Sequence, residues 1–515
     1  MVDEEQHKSI FDTSSSEGVT ESERLLMRLC RKSFLSLWSY ANLHTDEGMH
    51  GENKAPKEFA DVLVVFGNDV ILFSDKHVNF SETAPLEVAW PRWRKRAIDK
   101  SVSQLYGALH WLKRFPSKIF LDPRCERQLP IALPSVELAN YHLVAVTRGT
   151  AEACARNFPG SLGTLLINTE VENIASEIPF TTGKPAEGKP FVHVFDELAL
   201  EIVLNELDTI TDFVRYLNKR EQFLSDPEMV VMAPGEEQLV AAYITNMTGD
   251  KHYFVSKSEE DKKADLIAFD ESYYDGLISR PEYKDKKRAE LDSYTWDQLI
   301  EKFIKIGDPK AIFPEINQDT HDTEQALRVM ASESRFRRRV LVDNLKATLH
   351  AAAEKPTARR ARVFSTRQEP NVAYIFLFVP KRAEDTYETY RHLRAGLLMA
   401  YCRCSKLKFP DANIFIGLGF DHPVKDYPGV SEDLVVHTWK NFDQEARAEA
   451  ENIRNELGIL GDELTYYSGR ATEFPNTSSL DEFLQRERTT KAKSLKAKQK
   501  RKRKEAKRSR RRNRK

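Results

Sequence analysis

The 515-residue sequence predicts an α/β protein with two α/β domains, a charged helical middle segment between them and a disordered basic tail. Three observations carry this. Apolar runs of strand length alternate with stretches of helical periodicity over residues 21–225 and again over 346–475. Residues 226–345 between them are dense in charge, as in SKSEEDKKAD and EYKDKKRAELD, with short apolar groups that read as helices and mobile loops. Residues 476–515 lack apolar periodicity, and 486–515 hold 18 Lys or Arg against 2 Glu.

Residues 1–20 also lack periodicity and read as disordered. A helix follows from about Ser22 to Tyr40, with Leu25, Leu26, Leu29, Ser33 and Leu37 near helical spacing, and then a loop. FADVLVVFGNDVILFSDKH (59–77) is a β-hairpin hinged at Gly67-Asn68-Asp69. After it, Ile98, Val102, Leu105, Leu109 and Leu112 mark one face of an amphipathic helix. Runs at 118–121, 141–147 and 163–168 read as strands, and the second half of 193–224 as helix. In the second domain, 372–380 and 412–420 are buried strands flanking a helix from Glu384 to Cys404, and a last helix spans about 442–458.

No run reaches the ~20 apolar residues that cross a bilayer, and the acidic start MVDEEQHKSIFDTSSSEG is unlike a signal peptide, so the expected location is the cytoplasm, away from membranes. The five cysteines, Cys30, Cys125, Cys154, Cys402 and Cys404, lack zinc-site spacing and read as reduced core thiols. His142 and His193 sit in apolar runs as core histidines, and Gly417-Leu418-Gly419 lacks the third glycine of a dinucleotide site. The tail's balance of +16 leaves about −17 on the rest of the chain. Such a tail binds polyanions with steep salt dependence and offsets the repulsion an acidic body feels from phosphates.

The hairpin gathers polar groups at its open end. A three-residue loop at 67–69 sets Asp61 opposite Asp75, and a two-residue Asn68-Asp69 turn sets it opposite Lys76. A bulge near 74–76 would turn both toward Asp61. All three registers remain open at this level. Facing carboxylates raise each other's pKa unless a cation compensates, and Mg²⁺ is the natural partner because it takes one or two carboxylates and can bridge a phosphate. A strand-end carboxylate that meets solvent, with Lys76 as its salt-bridge partner, is the plainer alternative.

In order along the chain, these residues resemble the PD-(D/E)xK (restriction-endonuclease-like) nuclease superfamily over roughly residues 20–115. The resemblance implies an N-terminal restriction-endonuclease-like mixed sheet flanked by helices, and a metal-dependent endonuclease hydrolysing phosphodiester bonds. It implies Asp61, Asp75 and Glu23 as ligands of Mg²⁺, with Mn²⁺ as a substitute, Lys76 to position the water and Gln104 to hold the site together. Glu21 is a second candidate on the first helix, and Lys100 precedes Gln104 by one turn. Asp75 and Lys76 are adjacent, so the strict spacing is replaced by Ser74-x-Lys76, for which Glu23, Asp75, Glu82 or Glu87 would supply the carboxylate. The expected partner is nucleic acid, DNA favoured over RNA, in defence against foreign DNA or in repair, with oligomeric state left open and a dimer included. The alternatives are a non-catalytic nucleic-acid-binding protein that keeps a degenerate nuclease fold, and an interaction scaffold using 346–475.

Overall fold

A computed structural model of the chain describes residues 11, 13, 17–50, 56–249, 251–255, 265–306, 320–366, 369–423, 431–461, 469 and 471–475. Residues 1–10, 12 and 14–16 of the segment expected to be disordered, the charged stretch 256–264 and the tail from 476 lie outside the described residues. The fold is mixed α/β, with several mixed sheets flanked by helices.

Helix α1 (Glu21–Phe34) begins in a capping box, in which Thr20 and Glu23 each satisfy the other's backbone N–H, worth about 1 kcal/mol. It ends six residues before the expected Tyr40, because Leu35 takes φ 68° and the chain enters strand β1 (Ser39–Thr45). Strands β2 (Lys57–Phe66) and β3 (Asp69–His77) follow, then helix α2 (Leu86–Arg94), a π-turn (Lys95–Asp99) and helix α3 (Lys100–Arg114). Strand β4 (Asn140–Arg148), helix α4 (Ala151–Asn157), β5 (Leu166–Asn168), β6 (Thr181–Thr182), β7 (Val192–Asp196) and helices α5 (Glu197–Glu206) and α6 (Ile210–Leu224) complete the first part. The run at 118–121 forms only bridges from Phe120 to His44 and Gln128.

The main sheet has the order β1-β2-β3-β4-β7, antiparallel from β1 to β3 and parallel from β3 to β7. Its central strands are buried on both faces, so they read as continuous apolar runs while alternation still sorts the side chains. Val62, Val64, Ile71 and Phe73 pack toward α1, α5 and α6. Leu63, Val65, Val70 and Leu72 pack toward α2 and α3.

The middle of the chain supplies β8 (Val230–Ala233), α7 (Glu236–Thr245), β9 (Met247–Thr248), β10 (Lys251–His252), β11 (Leu266–Ala268) and helices α8 (Tyr273–Ile278), α9 (Pro281–Glu290), α10 (Tyr294–Ile306), α11 (Thr320–Ala331) and α12 (Arg335–Ala353). Strands β11, β8, β5 and β6 form a second mixed sheet. Part of the charge here points inward and is paired: Arg335, Arg338, Lys286 and Glu290 are all buried. Then come β12 (Arg360–Ser365), β13 (Val372–Val379), α13 (Tyr387–Ser405), β14 (Ile414–Asp421), β15 (Glu432–Thr438) and α14 (Gln444–Leu457). These strands form a sheet in sequence order, with β13 and β14 parallel about the α13 crossover. Gly417 lies under α13, where a Cβ would meet Leu398 and Cys402 at 2.8 Å, so this glycine serves packing. One continuous apolar cluster runs from Leu26 through Trp296 to Phe376 and Phe474, joining the α1 face of the main sheet to the helical layer and the last sheet.

Candidate functional site

The hairpin turn is Gly67-Asn68, with Phe66 opposite Asp69, a register outside the three weighed from sequence. Glycine at the first turn position takes φ 60°, as in type II′ hairpins, whose twist matches the strands, and this favours Gly67-Asn68 over Asn68-Asp69. The β2–β3 pairing runs to Val62 opposite Phe73, which brings Asp61 level with Ser74. No bulge occurs near Asp75, because β3 pairs with β4 residue by residue from Asp69 to His77.

Alternation therefore sends Asp61, Ser74 and Lys76 to the α3 face and Asp75 to the α1 face. On the α3 face, Asp61 is buried, accepts the Asp75 backbone N–H at 2.6 Å and lies 3.6 Å from Lys76 Nζ. Ser74 Oγ donates to Gln104 Oε1 at 3.1 Å and lies 3.3 Å from Ser101 Oγ. Ser101, one turn before Gln104 on α3, is a member of this cluster that sequence reasoning missed; only its helical offset from Gln104 could have flagged it. Lys100 is exposed beside it.

On the α1 face, Arg148 Nε donates to both Asp75 oxygens at 3.0 and 3.2 Å. Arg148 lies on β4, beyond the hairpin motif, where no local sequence pattern ties it to Asp75. Glu23 is engaged in the capping box and reaches Asp75 only as a nearby charge. Glu21 is exposed in the first turn, Glu87 is exposed, and Glu82 pairs with Arg156 at the surface. His142 and His193 are buried core residues, with His142 Nε2 3.1 Å from Asp69 and His193 Nδ1 3.4 Å from Arg220. The cysteines are free thiols, four of them buried.

The structure thus brings together Asp61, Lys76 and Gln104, with Ser74, and separates Asp75 and Glu23 from them. A Mg²⁺ set of Asp61, Asp75 and Glu23 does not fit: one carboxylate faces α3, one is held by Arg148 across the sheet, and one caps α1. Among the described residues no group of three His, Cys, Asp or Glu side chains is arranged to hold a metal ion.

Burial pushes the Asp61 carboxyl up to about 7, outweighing the lowering by Lys76 and by the Asp75 N–H. The folded state then holds a proton that the unfolded chain releases near 3.8, so this residue's contribution to stability falls as pH rises from about 4 through 7. Asp61→Asn is expected to remove that fall, a few kcal/mol at roughly 1.4 kcal/mol per unit. Urea titrations at pH 4.5 and pH 8 measure it: the stability difference between variant and wild type should shift in the variant's favour at pH 8. An identical difference at both pH values would refute a proton on Asp61.

Comparison of the chain with protein-family models, with curated proteins and with solved structures finds no match. Among the described residues no helix is long and apolar enough to cross a membrane.

Proposed function

We propose that the chain is a nucleic-acid-binding protein on a restriction-endonuclease-like core whose metal-ligand set is degenerate. The observation that carries this is the disposition of residues 74–76: Ser74 stands where a second carboxylate would face Asp61, and Asp75 is turned away into an ion pair with Arg148. The order α1, three antiparallel strands, helix, parallel β4 supports the core, and the +16 of residues 486–515 supports a polyanionic partner, DNA before RNA.

A second reading, Mg²⁺-dependent hydrolysis, is favoured by Asp61, Lys76 and Gln104 sharing one face. Incubating plasmid and single-stranded DNA and RNA with the full chain in Mg²⁺ or Mn²⁺ separates the two. Salt-sensitive binding without metal-dependent cleavage is expected, with deletion of 486–515 lowering both affinity and salt slope. Cleavage that both Asp61→Ala and Lys76→Ala abolish would overturn the non-catalytic reading, and no binding to any nucleic acid would overturn both.

A further inference from the structure

Helix α2, the π-turn and α3 form one continuous rod over residues 86–114 on the face of the main sheet that carries Lys76. Its inner side is apolar, with Trp90, Trp93, Ala97, Ile98, Leu105, Leu109 and Leu112 buried. Its outer side is basic. Residues 86–114 hold seven Lys or Arg against Glu87 and Asp99, inside a body whose charge outside the tail is about −17.

Arg92, Lys95, Arg96 and Lys100 are exposed and stand at offsets of three, four and eight, one row of a helix. None of the four has an ion-pair or hydrogen-bond partner among the described residues. Some exposed cations elsewhere on this surface are ion-paired, as in Lys57–Glu47, Arg156–Glu82 and Lys346–Asp292. The row continues through exposed Ser103 and Gly107, small enough for close approach by a backbone, to His110, Lys113 and Arg114. At 1.5 Å per residue, Arg92 to Lys113 spans about 30 Å, close to the ~34 Å turn of duplex DNA.

We propose that the outer face of residues 92–114 is a docking surface for the phosphate backbone of duplex nucleic acid, separate from the basic tail. The proposal rests on the nucleic-acid reading above and adds where on the folded body the duplex lies. Charge complementarity selects the partner: the row offers positive charge at intervals with one intervening carboxylate, Asp99. An anionic membrane fits less well, because membrane-surface helices bury large apolar side chains and the only exposed one between 86 and 114 is Val88.

The test uses the full chain carrying Arg92→Gln, Lys95→Gln, Arg96→Gln and Lys100→Gln together. A control carries Arg28→Gln, Arg124→Gln, Lys219→Gln and Lys355→Gln, four exposed cations elsewhere. Binding to a 30-base-pair duplex is titrated over a salt series, with vesicles of phosphatidylserine and phosphatidylcholine in parallel. Losing four phosphate contacts should lower the salt slope by about 3 to 4 and weaken binding on the order of 100-fold at 0.1 M salt, with the control near wild type. Wild-type affinity and slope in the quadruple variant, while deleting 486–515 abolishes binding, would overturn this surface and leave the broader reading standing. Equal loss in the control would overturn it too, as would loss of vesicle binding with duplex binding intact. If the wild-type chain binds no duplex, both readings fall.

Discussion

Arg148→Met should cost about 3–5 kcal/mol of unfolding free energy, because it leaves the Asp75 carboxylate buried without its partner. Both residues are more than nine-tenths buried, and the guanidinium Nε spans the two carboxylate oxygens. Burial already raises the Asp75 pKa against the lowering by Arg148. Without the guanidinium it rises further, so the folded variant holds a proton the unfolded chain gives up and loses stability as pH increases. The deficit should be larger at pH 8 than at pH 5. The double change Asp75→Leu with Arg148→Met should recover most of it, since apolar replacement of a buried pair is often neutral. Urea unfolding of the three variants measures this. A loss under 1 kcal/mol for Arg148→Met would refute the pair as a stabilising contact of the folded sheet.

Asp297→Ala should be of similar size, for a related reason. Its two oxygens hold Arg335 Nη2 at 2.8 Å and Arg338 Nη1 at 2.6 Å, tying α10 to the start of α12. Arg335 retains Asp208 at 2.7 Å and the Tyr294 ring at 4.2 Å. Arg338, 1% exposed, keeps only the carbonyls of Ala331 and Glu333 as hydrogen-bond partners among the described residues. A loss of about 3–5 kcal/mol is expected for Ala, and a smaller one for Asn, which preserves an acceptor without the charge. Chemical denaturation measures both. An Asn variant as damaged as the Ala variant would place the effect in the charge, and two near-wild-type variants would refute the network as a stabilising unit. Duplex affinity should be unchanged in either, since α10, which carries Asp297, packs in the apolar cluster on the α1 side of the main sheet and residues 92–114 pack in the cluster on the other side.

Much of the fold was legible because burial leaves periodicity in the chain. The hairpin, the helix bearing Ile98, Leu105, Leu109 and Leu112, strand β4, and the strand–helix–strand of the last sheet each carry a repeat close to 2 or 3.6, or a compact apolar run. The misses have physical causes. β1 begins in SYANLHT, where neither alternation nor a long apolar run marks a strand, and only pairing with β2 makes it one. The strands at 230–233 and 266–268 are too short to show a period. Inward-facing ion pairs made the middle of the chain look more exposed than it is, because sequence does not say which charges meet.

The candidate site divides along the same line. The residues themselves, Asp61, Ser74, Asp75, Lys76 and Gln104, could be listed from the sequence, since polar groups interrupting an apolar hairpin and the helix after it are visible as letters. Their grouping could not. Side chains alternate with a period of two, so one residue of turn placement, Gly67-Asn68 in place of Asn68-Asp69, changes which group lies opposite Asp61. Arg148, some seventy positions downstream, then holds Asp75 on the opposite face through a parallel pairing that no local pattern announces. Composition and order along the chain determined the α/β character, the hairpin and the basic tail. Strand register and long-range pairing, which are properties of the packed sheet, decided that Asp61 and Asp75 stand apart.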